Sequence, residues 1–324
     1  MKRIIGLILP LLMLFLGCKD SKTDKSKKEP EKPERITVTK PTVSFTFDDG
    51  NTSDLVGFPF EEWNQMILAH LEKENLKAVF FVTGNNKSDE KGQFLLNSWN
   101  DRGHRIANHS FSHPNFNSEK NSSLVFEREL KKTDAVISKF SNSIKLFRFP
   151  YLKEGRNTAK VDSIRNVLAN YEYRNGYVTI DASDWYIDQR LKKRIKEIGL
   201  ERTEIEKFRD FYVEHLLERA NYYEKLSYEI NGRHIPHTLL LHHNLSSALF
   251  LGDLIKTFKE KGWAVTNADE AYEDPVFEKI PKSDFAGESI IYALAKQSGE
   301  YDLTLRYPAE DSRYEKGKMD QLGL

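Results

Sequence analysis

The 324-residue chain has a single cysteine, Cys18, so no disulfide can form within it. It has no excess of either charge, because 49 lysines and arginines balance 49 aspartates and glutamates. This balance removes any bulk electrostatic reason to expect a nucleic acid as partner. Internal repeats are absent, as is any low-complexity linker beyond residue 36. With 39% hydrophobic and 12% aromatic residues, the rest of the chain predicts a packed core.

Long apolar runs are also missing, apart from residues 4–17. That run follows Lys2 and Arg3 and is too short to span a bilayer comfortably, which is typical of an export signal. Its end, Leu16-Gly-Cys18, resembles the lipobox of bacterial lipoproteins. The resemblance implies cleavage before Cys18, lipidation of its thiol and anchoring to a bacterial cell-envelope membrane, in the periplasm or at the cell surface. The alternative is a plain secretory signal with an incidental cysteine.

The sequence predicts three segments. Residues 1–17 form the signal peptide, and residues 18–35 form a charged tether in which Pro30 and Pro33 oppose a helix. Residues 36–324 form one domain, which includes a helical insertion at 187–233 and a C-terminal extension at 275–324.

Short apolar, β-rich runs alternate with helical patterns along this domain, which favours an α/β fold with parallel strands. The helical patterns include residues 61–73 and 124–140. Nearly every strand ends in polar residues, and in barrels of parallel strands the working residues gather at the carboxyl ends. The predicted strands are 42–47, 77–82, 105–108, 145–149, 176–180, 238–241 and 263–266.

The insertion carries an apolar stripe at helical spacing, from Ile205 through Tyr223. We expect a helical hairpin packed on the outside of the barrel. The alternative is that part of the insertion borders the substrate groove. In the extension, residues 289–295 read as a helix.

His109 and His113 stand four residues apart, a spacing that on a helical turn places both imidazoles on one face, within reach of one metal ion. A third ligand could come from Asp48 or Asp49, which end the first strand. Because successive strand residues point to opposite faces, we expect these two carboxylates to face different ways. One could then bind the ion while the other accepts a proton.

Five motifs occur in order: Thr46-Phe-Asp-Asp-Gly50, His109-Ser-Phe-Ser-His113, Arg148-Phe-Pro-Tyr151, Asp181-Ala-Ser-Asp-Trp185 and Leu240-Leu-His242. Together they resemble the motifs of the polysaccharide deacetylases, the NodB-type enzymes of carbohydrate esterase family four. The resemblance covers about residues 42–273. It implies a distorted (β/α)7 barrel, in agreement with the strand count.

The resemblance also implies roles for individual residues. Asp49, His109 and His113 would bind Zn²⁺ or another divalent metal such as Co²⁺, Ni²⁺ or Mn²⁺. The catalytic set would be Asp48 as general base, Arg148 as its partner, and Asp181 orienting the general acid His242. The Tyr151 N–H would stabilise the oxyanion, while Trp185 and Leu240 would wall the acetyl pocket. His243, directly after the proposed acid, is a second imidazole that could compete for that role.

The expected function is metal-dependent removal of acetyl groups from N-acetylated sugars of an extracellular polysaccharide, chitin-like or peptidoglycan-like. The alternatives are an esterase on O-acetylated xylan, an amidase on a small C–N substrate, and a surface glycan-binding lipoprotein without catalysis. The expected partners are the polysaccharide or oligosaccharide substrate and, through the lipid, a membrane. We expect a monomer.

Overall fold

The computed structural model describes residues 38–282, 288–306 and 312–324. Cys18, the signal segment and the whole tether therefore lie outside the described residues. Within the described ranges, seven strands form one sheet in which every pairing is parallel. The strands are β1 Thr42–Asp49, β2 Val79–Val82, β3 Arg105–Asn108, β4 Ser143–Phe147, β5 Arg174–Asn175, β6 Pro236–His242 and β7 Ala264–Val265.

Helices follow or separate these strands. Several begin at a residue whose side chain accepts a hydrogen bond from the first turn, as Asp89, Ser122 and Asn244 do. The α-helices are α1 Phe60–Lys73, α2 Glu90–Asn100, α3 Ser123–Ile137, α4 Thr158–Asn170, α5 Asp184–Ile198, α6 Ile205–Asn231, α7 Leu245–Glu260, α8 Ala268–Ala271, α9 Ile290–Ser298 and α10 Arg313–Leu322.

The strand order is β5-β4-β3-β2-β1-β6, with β7 paired to the start of β1. This confirms the predicted distorted (β/α) barrel. The register brings the carboxyl ends of neighbouring strands level, since Asp48 is opposite both Phe81 and His242. Side chains at the ends of neighbouring strands consequently meet at one edge of the sheet.

The predicted strand 176–180 is wrong in detail. Regular pairing ends at Asn175, and Ile180 forms only an isolated bridge to Leu239. Between Asn175 and Ile180, side chains replace some of the backbone hydrogen bonds of a regular strand pair. The Thr179 hydroxyl, for example, accepts from the Thr238 N–H at 2.8 Å. The Val178 carbonyl instead accepts from the N–H of Ile290, at the start of α9. The barrel wall is thus irregular where the C-terminal segment packs against it.

The insertion is helical, as expected, and its stripe from Phe208 through Tyr223 is buried. Its first helix, α5, begins at Asp184, so the insertion starts at the sheet edge where the motifs meet. Residues 289–295 belong largely to α9, as predicted. None of the helices in the described ranges combines the length and apolarity needed to cross a membrane.

Candidate active site

Three potential metal ligands converge at the carboxyl edge of the sheet. Asp49 ends β1, while His109 and His113 belong to the loop after β3. One donor atom from each of the three residues lies within 4.8 Å of the others. The Asp49 Oδ1 is 3.7 Å from His109 Nε2 and 3.4 Å from His113 Nε2. Two imidazole nitrogens and one carboxylate oxygen are a donor set that suits Zn²⁺ and related divalent metals.

Hydrogen bonding fixes which nitrogen of His109 is available. Its Nδ1 lies 2.8 Å from the carbonyl oxygen of Arg148. A carbonyl can only accept, so Nδ1 carries the proton and Nε2 presents a lone pair towards Asp49. Burial lowers the pKa of His109 and of His113 to about 4, so both rings are neutral at physiological pH. Neutral imidazole is the form that binds a metal.

A loop rather than a helical turn brings the two histidines together, contrary to the expectation. Ser110 and His113 have φ angles of 64° and 58°, in the left-handed region. Glu129 of α3 holds this loop, because its Oε2 accepts from Phe111 N–H at 3.0 Å and from Ser112 N–H at 2.6 Å. Left-handed backbone at non-glycine residues costs on the order of 1–3 kcal/mol each, so the surrounding bonds must impose this shape.

Asp48 forms a buried ion pair with Arg148. The Arg148 Nη1 donates to Asp48 Oδ1 at 2.6 Å, and both side chains are almost fully buried. Burial raises the pKa of Asp48 to about 6, although the Arg148 charge acts in the opposite direction. Asp48 is therefore a buried carboxylate that is ionised at neutral pH but can gain a proton readily.

The two adjacent acids do not face apart as strand alternation predicts. Asp48 Oδ2 lies 3.6 Å and Asp49 Oδ1 lies 3.7 Å from the same atom, His109 Nε2. The reason is the backbone of Asp49, whose φ of 80° departs from strand geometry and turns its side chain back towards the site. Asp48 is buried, whereas the Asp49 side chain is 44% exposed.

The carboxylate hydrogen-bonded to His242 is Asp184, which corrects the assignment to Asp181. Asp184 Oδ1 lies 2.6 Å from His242 Nδ1, and its Oδ2 accepts from the His242 backbone N–H at 2.9 Å. The reason is positional: Asp184 is the first residue of α5 and is fully buried against the end of β6. We therefore reassign the orienting role to Asp184.

His243 does not compete with His242. It is buried on the other side of the strand, where its Nε2 lies 3.0 Å from Asn64 Oδ1 and its ring packs 4.3 Å from that of Trp63. Burial lowers the pKa of His243 to about 3. This histidine belongs to the core.

Tyr151 lies beside the three potential ligands, whereas Trp185 and Leu240 belong to the elements that carry Asp184 and His242. Tyr151 has a φ of 59°, its ring lies 4.6 Å from that of His113, and its N–H has no acceptor among the described residues. Trp185 follows Asp184 in the first turn of α5. Leu240 lies two residues before His242 on the same face of β6 and forms a small apolar cluster with Leu152 and Val178.

A sequence model of the polysaccharide deacetylase family matches residues 35–176. The match includes the metal triad, Asp48 and Arg148, and it ends before Asp184 and His242. Residues 35–176 therefore carry the sequence pattern of a polysaccharide deacetylase domain.

Curated relatives agree with this family. The domain is similar to the peptidoglycan-N-acetylglucosamine deacetylase of Bacillus cereus, with 32% identity over 40% of this chain and 43% of that protein. It is also similar to the peptidoglycan-N-acetylmuramic acid deacetylase PdaA of Bacillus subtilis, with 23% identity over 74% of this chain and 72% of that protein. The chain spans less than half the length of the first curated relatives it matches.

A solved structure supports the fold. A pseudoenzyme of carbohydrate esterase family four from Bacillus anthracis superimposes with a TM-score of 0.51 at 21% identity, over 75% of this chain and 70% of that chain. That protein is a pseudoenzyme, so this fold also occurs in a protein without the activity.

Sequence reasoning missed two residues of the site, Asp184 and Glu129, and a buried lysine beside it, Lys87. Asp184 had a signal, since it is the second acid of Asp181-Ala-Ser-Asp-Trp185 and precedes a helical pattern. Glu129 had one too, because it is charged yet falls on the buried stripe of α3. Lys87 follows β2 and is buried close to Asp49, where burial lowers its pKa to about 8. Nothing in the sequence marks it as buried.

Substitution of the two neighbouring acids should affect metal binding differently. Asp49→Asn should weaken Zn²⁺ binding by roughly a hundredfold or more, because a neutral amide replaces a charged ligand. Asp48→Asn should bind Zn²⁺ within about threefold of the unchanged protein, since Arg148 already occupies its Oδ1. Competition titration with a chromogenic chelator measures both values. Equal losses in the two variants would contradict the division of labour between the two acids.

Proposed function

We propose that the protein is a metal-dependent hydrolase that removes acetyl groups from N-acetylated sugars of an extracellular polysaccharide, chitin-like or peptidoglycan-like. The proposal rests on three groups of side chains that meet at one edge of the sheet. These are the Asp49–His109–His113 triad, the Asp48–Arg148 pair and the His242–Asp184 pair. The named activities of the curated relatives support the same chemistry.

Asp49, His109 and His113 would hold the divalent cation, for which Zn²⁺ is the first candidate and Co²⁺, Ni²⁺ and Mn²⁺ are alternatives. The fit rests on the neutral rings, the lone pair of His109 Nε2 and the close approach of the three donors. When bound, such a cation polarises the acetyl carbonyl and makes a nearby water more acidic.

Asp48 would act as general base. Arg148 occupies Oδ1, so Oδ2, which faces His109, is the oxygen that takes the proton from the attacking water. Because Arg148 pairs with Asp48 inside the barrel, the base is held in one orientation. The water oxygen bonds to the acetyl carbon as its proton passes to Asp48.

His242 would act as general acid. Asp184 holds Nδ1, so Nε2 is the nitrogen that can deliver a proton to the departing amine. The carbon–nitrogen bond then breaks, and acetate and a free amino sugar leave. The Tyr151 N–H would donate to the oxyanion that forms in between, a contribution typically worth about 3 kcal/mol. Leu152, Val178 and Leu240 would receive the acetyl methyl group.

The location proposed for this reaction is the cell envelope. An export signal at residues 1–17 and a lipidated Cys18 would place the domain outside the cytoplasm at the end of a charged tether. A polymeric substrate outside the cell fits a site that lies at the open edge of the sheet. We propose that the protein acts as a monomer, without nucleic acid as partner.

A substrate panel tests the proposed function. N-Acetylglucosamine oligomers and O-acetylated xylan are incubated with the protein before and after removal of metal by a chelator, and acetate release is measured. We expect release from the N-acetylated oligomers, loss of release without metal, and recovery on adding Zn²⁺. Release from xylan alone would support the esterase alternative. Binding of oligomers without acetate release would support the silent glycan-binding alternative, and activity that survives metal removal would exclude the proposed mechanism.

The pH dependence follows from Asp48. A carboxylate base works only when ionised, and the pKa of Asp48 is about 6, so kcat/KM should fall as the pH drops through this range. A bound cation favours the ionised form, so the acidic limb of the metal-loaded protein should lie at or below about pH 6. Initial rates across the pH range measure this limb. A rate that rises on acidification from about pH 7 to about pH 5 would be inconsistent with Asp48 as base.

Asparagine substitutions test the reassigned orienting residue. Asp184→Asn should lower kcat by about a hundredfold, because the His242 ring loses its anionic partner, while metal content stays the same. Asp181→Asn should cost less. Turnover at saturating substrate and metal content measure both variants, and the reassignment is wrong if Asp181→Asn is the more damaging change.

A further inference from the structure

One buried charge beside the site has no part in the chemistry above. Lys87 is only 3% exposed. Its Nζ donates to the carbonyl of Asn85 at 3.1 Å, and no carboxylate in the described part of the chain forms an ion pair with it. An ammonium group has three donors, so this hydrogen bond leaves most of its capacity unused.

Burying a lysine in this way is costly. Desolvation of an ammonium group costs several kcal/mol, and an apolar side chain of similar volume is often neutral or stabilising at such a place. The local backbone nevertheless accommodates the lysine. Gly50 has a φ of +83°, and a Cβ at this position would lie 2.9 Å from Lys87 Cε. The turn directly after the two acids thus leaves room for the lysine stem.

Lys87 lines an open cleft of about 350 Å³, which we call the side cleft. Asp49 and His113 form part of its wall, so the cleft adjoins the metal triad. Its remaining walls carry amide and hydroxyl groups, among them Asn51, Ser53 and Asn86, and no apolar side chain lines it. Such a cleft suits a polar ligand with a negative charge and hydrogen-bond acceptors.

We propose that the side cleft binds a carboxylate carried by the substrate sugar, with Lys87 as the residue that recognises it. This inference rests on the proposed function and narrows its substrate class to acidic N-acetylated sugars. A single lysine among neutral amides matches one negative charge.

Lys87→Met is the variant that tests the proposal, and Lys91→Met is its matched control. Methionine keeps a similar volume without the charge, so we expect the thermal stability of Lys87→Met to be equal to or higher than that of the unchanged protein. Lys91 lies on α2 and is half exposed, with its Nζ 3.4 Å from Asp54. Lys91→Met therefore removes a lysine charge near the side cleft but not in its wall. Lys87→Gln serves as a second variant if Lys87→Met does not fold.

Calorimetry measures the affinity of each protein for two matched ligands. One is an oligosaccharide containing N-acetylmuramic acid, in which the sugar ring carries a carboxylate on an ether substituent. The other is the same oligosaccharide with this carboxylate converted to an amide. The unchanged protein and Lys91→Met should prefer the carboxylate by about tenfold at low ionic strength, as expected for one charge-assisted hydrogen bond. Lys87→Met should lose this preference while binding the amide as before.

Two results would overturn the inference: equal affinity of the unchanged protein for both ligands, or equal losses for both ligands in Lys87→Met. The second would show that Lys87 acts only on the metal ligands. Acetate release from the N-acetylmuramic acid oligosaccharide and from neutral N-acetylglucosamine oligomers is measured in parallel. Release from either substrate by the unchanged protein supports the proposed function whatever the preference. If neither substrate releases acetate, the proposed function fails independently of the side cleft.

Discussion

Arg148 holds the site together. Its guanidinium donates to Asp48 Oδ1 at 2.6 Å and to Thr46 Oγ1 at 2.9 Å, while its carbonyl accepts from the ring of His109. The same side chain donates to the Gly176 carbonyl and to the Tyr272 hydroxyl, and so bridges the irregular wall of the barrel. One buried residue therefore orients the proposed base and fixes the tautomer of a proposed metal ligand. A buried guanidinium is stable only when acceptors satisfy most of its N–H donors.

The proposed chemistry needs neighbouring residues of the same type to have different roles. Asp48 and Asp49 approach the same imidazole nitrogen, but one is buried against a cation and the other is partly open. His242 and His243 are adjacent, yet one faces Asp184 and the other is buried in the core. Burial and hydrogen-bond partners create these differences, since the residue types are the same.

Much of this arrangement could be predicted from the sequence, because parallel strands that end in polar residues bring those ends to one edge. The convergence of Asp48, Asp49, His109 and His113 follows from that rule. Other features depend on backbone details that spacing does not encode. The left-handed φ of Asp49 reverses the direction expected from strand alternation, and the start of α5 determines that Asp184 lies beside His242. The irregular wall near Val178 depends on α9, more than a hundred residues away in sequence.

We propose that the three donors at the sheet edge bind one ion beside Asp48. Anomalous diffraction at the zinc edge, from a crystal of the full domain grown with Zn²⁺, tests this most directly. One strong peak is expected within about 2.0–2.2 Å of Asp49, His109 Nε2 and His113 Nε2. Asp48 is expected to remain hydrogen-bonded to Arg148 and outside the coordination sphere. A peak bound by Asp48 instead of Asp49, or no peak at this edge, would contradict it.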